Sequence, residues 1–157
     1  MAVQLTRTQL EQMVSQARAE APNECCGLLL GTGDMVAEVL PARNRAADPP
    51  EPRDPRRHYR VDDQAQLKAM RLEQERGWEI VGIYHSHPVT QAHPSATDRA
   101  LAFWQSPRYV IISLADPSRA DVRAFRISDR IDGNGAIATD ENRHPIRDVT
   151  EEEVVVT

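Results

Sequence analysis

The run Glu79-Ile80-Val81-Gly82-Ile83-Tyr84 leads without a break into His85-Ser86-His87-Pro88. A short apolar stretch rich in β-branched residues reads as a buried strand ending near His85. Side chains two apart on a strand point the same way, so His85 and His87 project together from its end. Pro88 has no N–H to give to a ladder and stops the strand. Beyond it, Ala96, Ala100, Leu101 and Trp104 follow helical spacing, which predicts a helix from Ser95 to Trp104. Asp98 then sits in the first turn and leans back toward the two imidazoles. Two imidazoles and one carboxylate make a three-ligand zinc site with one position left for water. That open position separates a catalytic zinc from a structural one.

Simpler readings exist for each part. Ser95-Ala96-Thr97-Asp98 is also a capping box, with Ser95 as N-cap and the acid at N3. The two roles are compatible, because capping uses the geometry of Ser95 and leaves its hydroxyl proton. A hydrolytic zinc also needs a base for its water. Glu24 is the candidate, directly before Cys25-Cys26-Gly27-Leu28-Leu29-Leu30-Gly31, a second buried strand bounded by glycine. Taken alone, Glu24 is equally a linker residue between a helix and a strand.

Glu24 before a Cys-Gly strand, then His85-Ser86-His87-Pro88, then Pro94-Ser95 and Asp98, resembles the JAMM (MPN+, Mov34) metallopeptidases. The resemblance runs from the first helix to about Ser128. It implies zinc held by His85, His87 and Asp98, with Glu24 as general acid/base and Ser95 hydrogen-bonded to the oxyanion. It also implies a single α/β domain of cytidine-deaminase-like type, a mixed sheet flanked by helices. Asn44 with its proline-containing loop, His58-Tyr59-Arg60-Val61-Asp62 and Val81-Gly82-Ile83-Tyr84 are most similar to the small bacterial branch. Members of that branch free cysteine from the Gly-Gly end of a ubiquitin-like sulfur carrier, so such a carrier is the implied partner. Relatives that cleave polyubiquitin carry a second insertion after the catalytic Asp. Only about ten residues separate Asp98 from the strand expected at Tyr109, which leaves no room for one. Removal of ubiquitin-like modifiers from proteins and a non-catalytic scaffold remain the alternatives.

The proline- and charge-rich segment from Ala46 to Arg57 reads as an irregular exposed loop. It is either a passive connector or a flap over the site that pairs with an extended tail. Its Arg53, Arg56 and Arg57 are candidate substrate-binding residues, placed to attract an acidic carrier or a terminal carboxylate. The adjacent Cys25 and Cys26 fall on opposite faces of a strand and read as small core residues, one of them nearer the site.

Elsewhere, Leu10, Met13, Val14 and Ala17 form a helical stripe capped by Thr6 or Thr8. Met35 to Leu40 should pair with Leu28 to Leu30 across the Gly31-Thr32-Gly33-Asp34 turn. A second helix runs from Asp63 to Gly77, and two more strands from Tyr109 to Leu114 and Asp121 to Ile127. The expected organisation is one metallopeptidase domain over residues 1–130, with 131–157 as its C-terminal strand or tail. That tail reads either as a disordered end or as an edge strand at a subunit contact, which leaves a homodimer open. A net charge of −5 with scattered acids argues against a nucleic-acid partner. No apolar run reaches the ~20 residues of a membrane span, and no signal-peptide pattern is seen, so a cytoplasmic location is expected.

Overall fold

The computed structural model describes residues 2–102, 104 and 106–157. Its elements are β1 (Ala2–Leu5), α1 (Arg7–Glu20), β2 (Cys26–Thr32), β3 (Met35–Ala42), α2 (Asp63–Arg76), β4 (Glu79–His87), α3 (Ala96–Ala100), β5 (Arg108–Ser113), β6 (Asp121–Asp129) and β7 (Arg147–Val156). The strands run in the order β1-β3-β2-β4-β5-β6-β7 and close on themselves through a parallel β1–β7 pair. β4 is central, antiparallel to β2 and parallel to β5. Among the described residues, no helix is long and apolar enough to cross a membrane.

Local chemistry accounts for the helix limits. Thr6 Oγ1 accepts from Gln9 N–H while Gln9 Oε1 accepts from Thr6 N–H, a complete capping box at the start of α1. Asp62 caps α2, and Gly77 ends it at φ 68°, a left-handed conformation that suits a residue without Cβ. α3 stops at Ala100, well short of Trp104. The Tyr109 hydroxyl accounts for the difference. It accepts from the Trp104 N–H and donates to the Trp104 carbonyl, so a strand side chain takes over backbone groups that a longer helix would have used. Phe103, inside the expected helix, lies outside the described residues.

Alternation along the strands divides the interior in two. Leu29, Tyr84, Val110 and Ile112 pack with Met13 and Ala17 of α1. Leu28, Leu30, Ile83 and Ile127 pack with Ala69 of α2. His85 and His87 share the parity of Ile83 and therefore emerge on the α2 side, whereas Ser86 follows Tyr84 to the α1 side. Tyr84 is fully buried, and its hydroxyl donates to Gln16 Oε1 at 2.6 Å. Its ring needs Gly27, because a Cβ there would lie 2.3 Å from the ring carbon Cζ.

The C-terminal segment is built into the same sheet. β7 pairs with β6 on one side and β1 on the other, so it is not an open edge. Arg108 reinforces the closure, since it binds Glu152 of β7 at 2.9 Å and also Asp34 of the β2–β3 turn. The short β1, four residues long, is the element that sequence patterning did not reveal.

Candidate active site

β4 runs on through His87 and stops at Pro88, with His85 and His87 both buried. α3 delivers Asp98 to the same place. The Nε2 atoms of His85 and His87 lie 3.2 Å apart, and Asp98 Oδ2 is 3.1 Å from the first and 3.0 Å from the second. Metal–ligand bonds of about 2.0–2.1 Å in a tetrahedron put ligand atoms roughly 3.3 Å apart. The three atoms therefore form one face of a tetrahedron suited to a small divalent ion. Among the described residues this is the group of His, Cys, Asp and Glu side chains close enough to hold a metal.

Each of the three side chains is aimed by a neighbour. His87 Nδ1 donates to the Gln91 carbonyl at 2.8 Å, which orients the ring with Nε2 toward the site. The His85 ring stacks on Tyr59 at 4.3 Å with 17° between planes. Asp98 is oriented by its own cap: its Oδ2 accepts from Ser95 N–H at 3.0 Å, and Ser95 Oγ accepts from Asp98 N–H at 3.0 Å. Burial works against ionisation of Asp98, but His85 charge and hydrogen bonds from both imidazoles and Ser95 outweigh it. The carboxyl is held well below its usual range. Burial likewise lowers the His87 pKa, yet the hydrogen bonds to Asp98 and Gln91 leave it raised overall.

Glu24 lies just ahead of β2, 4 % exposed, and its Oε1 is buried without a hydrogen-bond partner. Burial, joined by the Asp98 charge and opposed by His87, raises its pKa from 4.5 to about 8. A carboxyl placed near a histidine–aspartate cluster with an unused oxygen suits proton transfer near neutral pH. It also suits a site that gains a cation, because positive charge would favour the carboxylate.

A groove of about 380 Å³ opens beside Asp98. Tyr59, Val61, Ile83, Leu101, Trp104 and Tyr109 give it apolar walls, and Glu51, Arg53, His58 and Arg60 bring charge or polarity. Of the three loop arginines, Arg53 stands on the groove wall. Arg56 turns instead onto Asp54, with Nε 3.2 Å from Oδ1, and Arg57 is exposed and not part of the wall. Arg60 and Tyr59 are wall residues that no spacing argument singled out. His58 also lines the groove. His93 is exposed and sits edge-on to Phe125 at 5.6 Å.

The two cysteines are free and fully buried. Cys25 packs in the α1-side cluster, and burial pushes its thiol up to about 12. Cys26 shares strand parity with Leu28 and Leu30, so it is the one on the site's side, with Sγ against the Arg43 carbonyl at 3.6 Å.

The chain is 38% identical over 119 residues to the CysO-cysteine peptidase of Mycobacterium tuberculosis, covering 74% of this chain and 77% of the relative. It is 36% identical over 99 residues to the desampylase of Haloferax volcanii, covering 62% and 67%. The solution structure of protein DSY2949 from Desulfitobacterium hafniense superposes with a TM-score of 0.71 at 37% identity, over 100% of this chain and 93% of that one. The sequence profile described as prokaryotic homologs of the JAB domain matches residues 6–128, most of the chain, and the protein belongs to that family.

Proposed function

We propose that this protein is a zinc-dependent peptidase that hydrolyses the amide bond after the C-terminal Gly-Gly of a ubiquitin-like sulfur-carrier protein and releases cysteine. The observation that carries the reading is the triangle of His85, His87 and Asp98 ligand atoms at 3.0–3.2 Å, with the partnerless Glu24 oxygen nearby. Zinc bound at these three atoms would supply a Lewis acid and bring the pKa of water toward neutrality.

The remaining roles fall to the chain itself. Glu24 takes a proton from the attacking water and returns it to the leaving amine, a service worth about 10²–10⁴-fold. Ser95 Oγ already accepts from the Asp98 N–H, so its own proton is free to be donated to the oxyanion. The groove beside Asp98 receives the extended tail, and Arg53 on its wall attracts a carboxylate. A Gly-Gly tail offers backbone and little else, which fits recognition by an irregular loop through main-chain hydrogen bonds.

The similarity to a desampylase supports a second reading, cleavage of ubiquitin-like modifiers from other proteins by the same chemistry. One experiment separates them. A sulfur carrier ending in Gly-Gly-Cys and a lysine-linked conjugate are each incubated with the protein, with and without chelator, and weighed by mass spectrometry. Chelator-sensitive loss of the terminal cysteine is the expected result. An intact carrier beside a cleaved conjugate would replace the first reading with the second.

A further inference from the structure

Glu24 lies outside the regular strands, and its backbone is held by a loop rather than by a ladder. Its N–H donates to the Pro55 carbonyl at 2.8 Å. Its carbonyl accepts from Asn44 Nδ2 at 3.0 Å. The same amide group donates to the His58 carbonyl at 2.9 Å and lies 3.4 Å from the Pro55 carbonyl. Its two hydrogens are therefore shared among three carbonyls. On the other side, Asn44 Oδ1 accepts from Ala46 N–H at 2.9 Å and from Arg60 N–H at 3.1 Å. Every donor and acceptor that an asparagine side chain owns is thus spent on backbone.

The positions it grips matter more than their number. His58 and Arg60 flank Tyr59, whose ring stacks on His85. Pro55, His58 and Arg60 belong to the segment that supplies the groove wall. A single half-buried side chain therefore fixes the proton-transferring residue, the platform under one ligand and the wall of the groove against one another. From this geometry we infer that Asn44 is a positioning residue, one that sets where the Glu24 carboxylate stands relative to the three ligand atoms. The inference rests on the proposed role of Glu24. Asn44 touches neither the ligand atoms nor the reacting groups, and its effect on turnover passes through the backbone of Glu24.

Misplacing a reacting group by about 1 Å costs on the order of 10²-fold in rate. Asn44→Ala should lower kcat by about that factor, leave KM within about threefold, and keep one metal per chain. The decisive measurement is a double-mutant cycle with Glu24→Gln. Where Asn44 acts through Glu24, removing it costs little further once Glu24 cannot take a proton. A full additional loss in the Glu24→Gln background, or an unchanged kcat in Asn44→Ala, would overturn the inference. Failure of the Glu24 reading is distinguishable, because Glu24→Gln alone would then retain its turnover. If Asn44→Ala does not fold, Asn44→Ser, which keeps one hydroxyl donor, is carried through the same cycle.

Discussion

Glu24 makes the metal-free protein sensitive to pH in a direction that can be worked out. Its carboxyl is raised from 4.5 to about 8 in the fold, chiefly by burial and then by the Asp98 charge. The folded chain therefore holds the proton more tightly than the unfolded chain does. The stability this gives is fully present below pH 4.5 and is lost as pH rises through about 8. At about 1.4 kcal/mol per pKa unit, the loss between roughly pH 5 and pH 8.5 comes to about 4 kcal/mol. Glu24→Gln has no proton to lose and removes this slope. Urea denaturation of chelator-treated wild type and Glu24→Gln across that range measures the difference. The wild type should fall behind the variant by several kcal/mol as pH rises. A divalent ion should shrink the gap, because its charge stabilises the carboxylate. Parallel pH profiles for the two metal-free proteins would refute the claim that Glu24 is buried and neutral.

Other outcomes follow from single contacts. Asp98→Asn should abolish stoichiometric divalent-metal binding by calorimetry while leaving the capping geometry able to form, since an amide oxygen still accepts from Ser95 N–H. Gly27→Ala should destabilise by about 1–3 kcal/mol in urea denaturation, because its Cβ meets the buried Tyr84 ring at 2.3 Å. Arg53→Glu should reduce kcat/KM for an acidic carrier by about tenfold at low salt, with the deficit shrinking as salt is added. The same reversal at Arg57, off the groove wall, should change it less.

The meeting of His85, His87 and Asp98 was legible because both periods that place them are local. His85 and His87 are two apart on a strand that Pro88 terminates, and Asp98 is the third residue of a capped helix. Met35–Ala42 pairing with Cys26–Thr32 was legible for the same reason, since a short turn joins them. The barrel closure was not, because β1 is four residues long and its partner is the far end of the chain. The early stop of α3 depends on the hydroxyl of Tyr109 reaching Trp104, a contact between elements rather than a pattern within one. Asn44 and Tyr59 stand in the sequence as part of the family resemblance alone. Their importance lies in which backbone groups and which imidazole they meet, and no spacing encodes that.

Ser95 caps α3 in the structure, and the oxyanion role that the resemblance implies for it can be tested apart from the cap. Its Oγ and N–H form a reciprocal pair with Asp98 N–H and Oδ2, and that Oδ2 is also the oxygen nearest both imidazoles. The cap therefore fixes the Asp98 oxygen that faces both imidazoles, as a preorganised site would require. Losing the cap alone costs about 1 kcal/mol of stability. Losing a donor to an oxyanion costs about 10²–10³-fold in kcat. Ser95→Asp preserves the capping acceptor but has no proton to donate, Ser95→Thr preserves both, and Ser95→Ala preserves neither. If Ser95 donates to the oxyanion, kcat falls in Asp and Ala alike and survives in Thr, with metal content unchanged in Asp and Thr. If Ser95→Asp turned over like wild type, the hydroxyl would be a cap and nothing more.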